Sequence, residues 1–253
     1  MAMVLIITAC IKPQNSISNI AIRDENIRLQ QYLESLEFYI NSESITDIIF
    51  CDNSATSFDE SLLVKLAKKK NKNLEIHRFK SNTLACATRG KSYGEYEIMK
   101  YVFEHSYLVK QHNCFVKITG RLIVKNFDKI VRKLSDKNNY FVFLGNPINR
   151  NGKKIDTRFY SMKVDDFKKI EKNLGSQINE LEGFTLERSF FEVIDSTGTN
   201  FRMLPLYPQY EGISGSTGID YSNVKLKFVK LLLKNVAMKL FDLTQRWGMQ
   251  DEN

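Results

Sequence analysis

Short apolar runs alternate with helical patterns throughout the first 150 residues of the chain. The first run, residues 4–11 (VLIITACI), is typical of a parallel strand covered on both faces, because no charged residue interrupts it. Four further strands are predicted at residues 45–51, 74–79, 115–118 and 140–144, and helices at residues 24–39, 57–70, 91–106 and 126–134. The alternation predicts an α/β fold with a Rossmann-type, mostly parallel sheet flanked by helices.

The second half of the chain is less regular. Strands are predicted at residues 157–164 and 201–207, helices at residues 165–174 and 185–194, and a helical segment from residue 223 onward. Neither an internal repeat nor a low-complexity linker marks a domain boundary. We therefore expect residues 1–150 and 151–221 to be two halves of one domain, followed by a C-terminal helical segment at residues 222–253.

The net charge of the chain is +8, from 37 basic and 29 acidic residues. That excess favours an anionic partner, which includes nucleotides, nucleic acids and acidic membrane surfaces. The four cysteines have no CxxC spacing, so we expect buried free thiols in a reducing cytoplasm. The first strand lacks a preceding basic region and a cleavage site, and no long apolar run follows. Neither a signal peptide nor a membrane-spanning helix is therefore predicted.

Small and polar residues lie at the ends of the first two predicted strands. Thr8 and Ala9 lie near the end of the first strand, and Asp52, Asn53 and Ser54 follow the second. The carboxyl ends of parallel strands are where a doubly wound sheet binds ligands. Asp52 and Asn53 are therefore candidates for hydrogen bonds to a nucleobase or a ribose. A simple turn or helix cap explains the same residues equally well.

Three cations lie near the predicted strand ends. Lys117 and Arg121 flank a Thr-Gly turn at the tip of the fourth strand, where packing has no need of positive charge. An ammonium and a forked guanidinium at this place indicate a site for phosphate or sugar. Lys91, in the segment GKSYGE at residues 90–95, precedes a predicted helix whose amino terminus favours an anion. That segment lacks the Walker frame, so an ordinary solvated lysine is an equal alternative for Lys91.

Two glutamates are candidates for acid–base chemistry. Glu182 precedes a predicted helix and Glu187 lies in its first turns, although an acid at this place is also an ordinary capping residue. Residues 212–218 (GISGSTG) are predicted to form a flexible loop rich in hydroxyl groups. Such a loop could close over a substrate, and it could equally be a surface turn. Neither a metal-ligand spacing nor a GxSxG motif occurs in the sequence.

In the order of its elements, the chain resembles bacterial glycosyltransferases that build capsular polysaccharide or lipopolysaccharide O-antigen. The resemblance rests on short segments spread over most of the chain: residues 7–9, 50–54, 90–95, 115–121 with Asn126, and 212–218. It implies a GT-A-like fold and a nucleotide-sugar donor, expected to be a UDP-sugar. It also implies transfer of a hexose-type sugar to a lipid-linked glycan, with residues 1–150 holding the donor and residues 151–221 facing the acceptor.

The resemblance further implies a role for each candidate residue. The nucleoside would be held by Thr8, Ala9, Asp52, Asn53 and Ser54. The donor sugar or the acceptor would be held by Glu95, Thr119, Gly120, Ser214 and Gly215. Glu182 or Glu187 would activate the acceptor hydroxyl as a base, or would stabilise the charged state of the sugar if the reaction retains configuration.

This sequence departs from the GT-A pattern at one point, because it lacks the Asp-x-Asp motif that holds a divalent metal on the diphosphate. Lys91, Lys117 and Arg121 are expected to bind the diphosphate and to replace the charge of that metal. The resemblance therefore implies a metal-independent reaction, and no cofactor is predicted.

The segment from Lys225 to Trp247 interleaves six cations with apolar residues, and Asp242 is its one acid. A basic amphipathic helix of this kind binds anionic membrane surfaces. A helix packed on the domain with a solvated lysine face fits the same pattern equally well. With the lipid-linked acceptor, the first alternative predicts a cytoplasmic protein that is peripheral on the inner membrane.

Two other classes of protein stay open. A nucleotidyltransferase, or another enzyme that modifies nucleotide sugars, would share the diphosphate site. A nucleic-acid-binding module would suit the net charge, but the aromatic and basic residues form no recognisable DNA- or RNA-binding motif. A nucleic-acid partner is therefore not expected.

Overall fold

The computed structural model describes residues 3–15, 17, 20–144, 154–215, 217–223 and 233–236. Its strands are β1 (Val4–Ala9), β2 (Asp47–Asp52), β3 (Asn73–Arg78), β4 (Cys114–Thr119), β5 (Ile123–Val124), β6 (Asn139–Phe141), β7 (Phe143–Leu144), β8 (Lys154–Ile155), β9 (Phe159–Lys163), β10 (Phe201–Met203) and β11 (Tyr210–Glu211). Its helices are α1 (Glu25–Ile40), α2 (Ser61–Lys69), α3 (Thr83–Arg89), α4 (Lys91–His105), α5 (Tyr107–Lys110), α6 (Phe127–Val131), α7 (Val164–Gln177) and α8 (Leu186–Ser196). Apart from residues 233–236, the predicted segment from Lys225 to Trp247 lies outside the described residues.

Seven strands form one sheet in the order β10-β6-β9-β4-β1-β2-β3. Neighbouring strands are parallel except at β9, which is antiparallel to both β4 and β6. The predicted fold class, a Rossmann-type, mostly parallel α/β sheet flanked by helices, is confirmed. Strands β2 and β3 lie on one side of β1 and β4 lies on the other, so the strand order reverses between β1 and β4.

Successive side chains of β1 pack on opposite faces of the sheet, as the period of two in a strand requires. Leu5 and Ile7 belong to one hydrophobic cluster, and Val4 and Ile6 belong to another. The first cluster includes apolar residues of α1, α2 and α6, and the second includes those of α4, α7 and α8. Every residue of β1 is buried, which explains why this strand is an uninterrupted apolar run.

The structure differs from the sequence-based prediction in several elements, including the short elements α5, β5, β8 and β11, which the prediction lacks. The run predicted at residues 140–144 is divided into β6, in the main sheet, and β7, which pairs with β8 in a separate sheet. The strand predicted at residues 157–164 is β9, which enters the main sheet between β4 and β6. Helix α3 has no counterpart in the prediction, and the side chain of Asn82 caps it by accepting a hydrogen bond from the Ala85 N–H at 3.0 Å.

Long apolar helices are missing from the described part of the chain. None of the helices listed above has the length and the apolar character that crossing a bilayer requires.

Candidate functional site

A cavity of about 830 Å³ lies at the carboxyl ends of β1, β2 and β4. Thr8 and Ala9 line it from the end of β1, Asn53 and Ser54 from the residues after β2, and Thr119 from the end of β4. Open α/β sheets bind ligands at the carboxyl ends of their strands, where the strand order reverses. The cavity therefore occupies the place at which this topology is expected to bind a ligand.

Most of the residues singled out from the sequence line this cavity. They are Thr8, Ala9, Asn53, Ser54, Lys91, Glu95, Thr119, Arg121, Glu187, Ser214 and Gly215. The others, Asp52, Lys117, Gly120 and Glu182, do not line it. The fold thus brings together residues from both halves of the chain.

Asp52 is fully buried, and its carboxylate holds the loop that follows β1. It accepts hydrogen bonds from the Ile11 N–H at 2.8 Å, the Ser54 hydroxyl at 2.8 Å and the Thr56 N–H at 3.0 Å. These bonds satisfy both carboxylate oxygens, and the side chain is closed to a ligand. The predicted contact between Asp52 and a nucleoside is therefore corrected: Asp52 shapes the turn, and its neighbours Asn53 and Ser54 face the cavity.

Asn53 presents an unsatisfied acceptor at the end of β2. Its amide nitrogen donates to the Gly94 carbonyl oxygen at 3.1 Å, which fixes the orientation of the amide group. The remaining Oδ1 is buried and accepts no hydrogen bond from the described residues. A buried acceptor without a partner is costly, so a ligand that donates a hydrogen bond here would stabilise the site.

Lys117 is 1% exposed and does not reach the cavity. Its ammonium forms an ion pair with Glu95 and donates to the Thr157 carbonyl oxygen at 2.7 Å and to the Thr119 hydroxyl at 3.1 Å. The prediction that Lys117 binds the diphosphate directly is corrected, because its three donors are already used within the protein. Glu95, which lines the cavity, is the group that Lys117 holds in place.

Gly120 brings the end of β4 against the end of β1. Its N–H donates to the Thr8 carbonyl oxygen at 2.9 Å. A Cβ atom at this position would lie 2.6 Å from that same oxygen and 2.8 Å from a methyl carbon of Ile7. The backbones meet this closely only because residue 120 has no side chain. Gly120 therefore positions its neighbours in place of the predicted direct contact with a sugar.

Two buried guanidinium groups, Arg28 and Arg121, line the cavity. Arg121 donates to Oε1 of Gln31 at 3.0 Å, and Arg28 donates to the carbonyl oxygens of Cys10 and Ile22 at 2.8 and 3.0 Å. Neither arginine forms an ion pair with a carboxylate among the described residues; the arginine ion pairs found there lie elsewhere. Burial, and to a lesser degree the charge of Arg28, lowers the pKa of Arg121 below its usual value. An anionic ligand would compensate these buried charges.

The amino terminus of α4 is capped by the protein itself. The Ser92 N–H donates to Glu180 at 3.1 Å, and the Lys91 ammonium lies 3.7 Å from the same carboxylate. Gly90 allows this contact, because a Cβ there would lie 2.6 Å from Cβ of Glu180. The anion at this helix terminus is therefore a carboxylate of the protein itself, whereas Lys91 still lines the cavity.

The two candidate bases lie in different places. Glu187, in the first turn of α8, lines the cavity, and its carboxylate accepts a hydrogen bond from the Thr157 hydroxyl at 3.4 Å. Glu182 instead lines a separate cavity of about 500 Å³ beside Arg89. Only Glu187 of this pair is close to the strand ends.

The residues around the cavity do not fit a divalent metal. Three carboxylates of the described residues line it, and two of them are engaged with ammonium groups: Glu95 with Lys117 and Glu180 with Lys91. In the described part of the chain, no three histidine, cysteine, aspartate or glutamate side chains form a group suited to metal binding.

Among the cavity residues that sequence reasoning missed are three charged side chains, Arg28, Glu180 and Arg158. Arg28 was detectable, because it lies four residues before Tyr32 on the buried stripe of α1, where a charge is unusual. Arg158 pairs through two hydrogen bonds with Asp156, at 2.8 and 2.6 Å. No local pattern signals Glu180, because the fold brings its partners Lys91 and Ser92 to it. Arg158 has its partner two residues away, but that spacing alone does not place the arginine at the cavity.

No protein-family model matches this sequence, and no curated protein matches it significantly. Among solved structures, the chain is similar to a nucleoside-diphosphate-sugar pyrophosphorylase from Vibrio cholerae RC9. The identity is 14%, over 79% of this chain and 91% of that one, with a TM-score of 0.47.

Two further similar structures are glycosyltransferases or synthases. The apo form of the glycosyltransferase GlyE from Streptococcus pneumoniae TIGR4 has 7% identity, covers 81% of this chain and 45% of its own, and has a TM-score of 0.49. Core-mannan synthase A from Aspergillus fumigatus, in a Mn/GDP form, has 10% identity, covers 81% of this chain and 73% of its own, and has a TM-score of 0.41. This chain thus spans less than half the length of GlyE. At these identities and TM-scores the likenesses carry no argument about activity, which rests on the site itself.

Proposed function

We propose that this chain is a glycosyltransferase that moves a sugar from a UDP-sugar to an acceptor hydroxyl. The observation that carries the proposal is the pair of buried guanidinium groups, Arg28 and Arg121, in the cavity at the strand-order reversal. Neither has a carboxylate partner among the described residues, and a diphosphate supplies the missing negative charge. The resemblance of the sequence to bacterial glycosyltransferases supports the same reading.

In this proposal the donor lies along the carboxyl ends of β1, β2 and β4. Thr8, Asn53 and Ser54 contact the nucleoside, and the free Oδ1 of Asn53 accepts a hydrogen bond from it. Arg121 and Lys91 contact the diphosphate. The bond between the sugar and the diphosphate breaks, and the electron pair leaves with UDP, so stabilisation of the charge that develops on UDP is the main task of these cations.

Glu187 is the proposed catalytic base. It takes the proton from the acceptor hydroxyl as the oxygen attacks the sugar, if configuration inverts. If configuration is retained, it stabilises the positive charge on the sugar. Among the cavity carboxylates, Glu187 has only the Thr157 hydroxyl as a hydrogen-bond partner within the described residues, and it forms no ion pair there. That leaves it available for a substrate.

The test of the reaction class is the identification of products from labelled UDP-sugars. The proposal predicts release of UDP together with transfer of the labelled sugar to an acceptor or to water. A nucleotidyltransferase would instead convert the UDP-sugar and pyrophosphate to UTP and sugar 1-phosphate. Formation of UTP without release of UDP would replace the proposed function by this alternative.

The proposal that protein cations replace a metal has its own test. Turnover of a UDP-sugar is expected to persist after dialysis against EDTA, with at most a small change in rate. Turnover that EDTA abolishes and manganese restores would contradict this part and would leave glycosyl transfer itself standing.

We extend the proposal to the acceptor, a lipid-linked glycan of bacterial surface polysaccharide at the cytoplasmic face of the inner membrane. The sequence resemblance and the basic, apolar segment from Lys225 to Trp247 support it. The full chain is expected to sediment with phosphatidylglycerol vesicles and not with phosphatidylcholine vesicles. Equal sedimentation with both would remove the membrane part of the proposal.

A further inference from the structure

The ion pair between Lys117 and Glu95 is half in the core and half in the cavity. The Lys117 side chain is 1% exposed, whereas the Glu95 side chain is 28% exposed and lines the cavity. Oε1 of Glu95 contacts the Lys117 ammonium and, at 3.4 Å, the Thr119 hydroxyl. Oε2 of Glu95 forms no hydrogen bond with the described residues. One oxygen is therefore anchored and the other is available to a ligand.

Packing alone does not explain this pair. A well-packed apolar pair is often as stable as a buried ion pair or more stable, because removing two charges from water costs energy. An anchored carboxylate does serve a binding site, because its acceptor oxygen is held in one position before the ligand arrives. Lys117 uses its remaining hydrogen bonds on Thr157 and Thr119, which fixes the ammonium as well.

Thr157 connects this pair to the proposed catalytic base. Its carbonyl oxygen accepts a hydrogen bond from Lys117 at 2.7 Å, and its hydroxyl donates to Glu187 at 3.4 Å. Glu95 also lies one helical turn after Lys91 on the same face of α4, and both line the cavity. Glu95 therefore lies between the proposed diphosphate and the proposed base, which is where the transferred sugar has to sit.

We propose that Glu95, positioned by Lys117, selects the donor sugar by accepting a hydrogen bond from one of its hydroxyl groups. The inference rests on the proposed function and deepens it by naming the class of donor. An ionised carboxylate only accepts hydrogen bonds, so it requires a hydroxyl at the position it faces. The donor is a UDP-hexose whose sugar keeps a free hydroxyl there, and a donor without that hydroxyl binds more weakly.

The experiment combines a substitution in the protein with the removal of single hydroxyl groups from the ligand, and compares the effects on affinity. Dissociation constants are measured by calorimetry for UDP, for the best-binding of UDP-glucose, UDP-galactose and their N-acetyl forms, and for the monodeoxy analogues of that donor. In the wild-type protein, one monodeoxy analogue is expected to bind about tenfold or more weakly than its parent. In Glu95→Gln, the ratio of the dissociation constants of this analogue and its parent is expected to fall substantially. The affinity for UDP alone is expected to stay unchanged.

Two further variants serve as controls for Glu95→Gln. Glu95→Gln leaves Lys117 buried without its counter-charge, so the double variant Glu95→Gln/Lys117→Met, which removes both charges, is measured beside it. Glu104→Gln, at the exposed far end of α4, is the matched control and is expected to keep the wild-type ratios. The inference would be overturned if the loss of a hydroxyl group from the donor weakened binding equally in the wild type and in both Glu95 variants. Failure of UDP itself to bind the wild type would overturn the proposed function, and the inference with it.

Discussion

Arg121 is the side chain whose replacement separates ligand binding from stability. Arg121→Met is expected to weaken UDP binding by about 10- to 100-fold, because hydrogen bonds to charged groups contribute about 1.5–3 kcal/mol. The free energy of unfolding of the ligand-free protein is expected to change by less than about 1 kcal/mol, since the variant also removes a buried charge without an ionic partner. Calorimetry with UDP and urea unfolding measure the two effects.

A surface arginine provides the control for this prediction. Arg132 is more than half exposed and pairs with Glu43, and neither residue lines the cavity. Arg132→Met is expected to bind UDP like the wild type. Wild-type UDP affinity in Arg121→Met would contradict the assignment of Arg121 to the diphosphate.

The two candidate glutamates make a matched pair for catalysis. Glu187→Gln is expected to lower kcat by at least about 100-fold, the usual contribution of a positioned base, with little change in the dissociation constant of the donor. Glu182→Gln is expected to keep wild-type rates, because Glu182 lines the other cavity. Steady-state rates with a UDP-sugar, together with donor binding, measure both. A larger decrease of kcat in Glu182→Gln than in Glu187→Gln would make Glu182 the catalytic base instead.

The sequence predicted polar and charged side chains at the strand ends but not the partners of each side chain. Asn53 and Arg121 line the cavity, as we expected of polar and cationic groups at such ends. Lys117 and Asp52 looked equivalent to them. They differ because Lys117 meets Glu95, 22 residues away, and Asp52 meets Ile11, 41 residues away. Contacts over such separations depend on the assembled sheet, which local spacing does not determine.

The turn after β4 gives a prediction about stability and ligand binding. Gly120→Ala places a methyl group 2.6 Å from the backbone oxygen of Thr8, which has no freedom to move aside. We expect a loss of about 1–3 kcal/mol in the free energy of unfolding, the usual cost of overpacking, together with weaker UDP binding. Urea unfolding and calorimetry check these two effects.

Gly183 is the comparison for that variant. It has open space around it but a φ of +86°, so Gly183→Ala is expected to cost about 1–2 kcal/mol through backbone strain alone. UDP binding by this variant is expected to stay at the wild-type level. If Gly120→Ala also bound UDP normally, the close contact of β1 and β4 would not be what positions the site.

Element types were easier to predict than element partners. The buried strand β1 follows from its uninterrupted apolar run, and helix α1 follows from the spacing of its apolar residues. Asp24 caps α1 through hydrogen bonds of 2.9 Å from the Asn26 and Ile27 amides. The insertion of β9, antiparallel, between β4 and β6 was not foreseen. Strand direction depends on how the chain returns to the sheet, and alternating hydrophobicity is the same for both directions.

The stability of the whole domain is expected to depend on pH through carboxylates that hold loops. Burial raises the pKa of Asp128, but hydrogen bonds from Ser42 and Ser44 outweigh it, so the pKa lies below its usual value. The pKa of Asp128 in the folded state is therefore lower than the unfolded value of about 3.9. The contribution of the ionised carboxylate to the free energy of unfolding is complete above the unfolded pKa, and it is lost as the pH falls through the folded pKa.

Asp128→Asn tests this dependence. The free energy of unfolding of the wild type is expected to fall as pH decreases from about 5 toward 2, and the variant is expected to show a shallower fall. Urea unfolding at several pH values measures both slopes. Equal slopes would mean that Asp128 is not among the carboxylates that link stability to pH.

The central claim is that the cavity at the carboxyl ends of β1, β2 and β4 holds the diphosphate of a sugar nucleotide. A crystal structure of the protein with UDP tests it most directly. We predict the diphosphate within hydrogen-bond distance of the Arg121 guanidinium and the nucleoside beside Asn53. UDP bound at another surface, or a diphosphate that leaves Arg121 without contact, would contradict the claim.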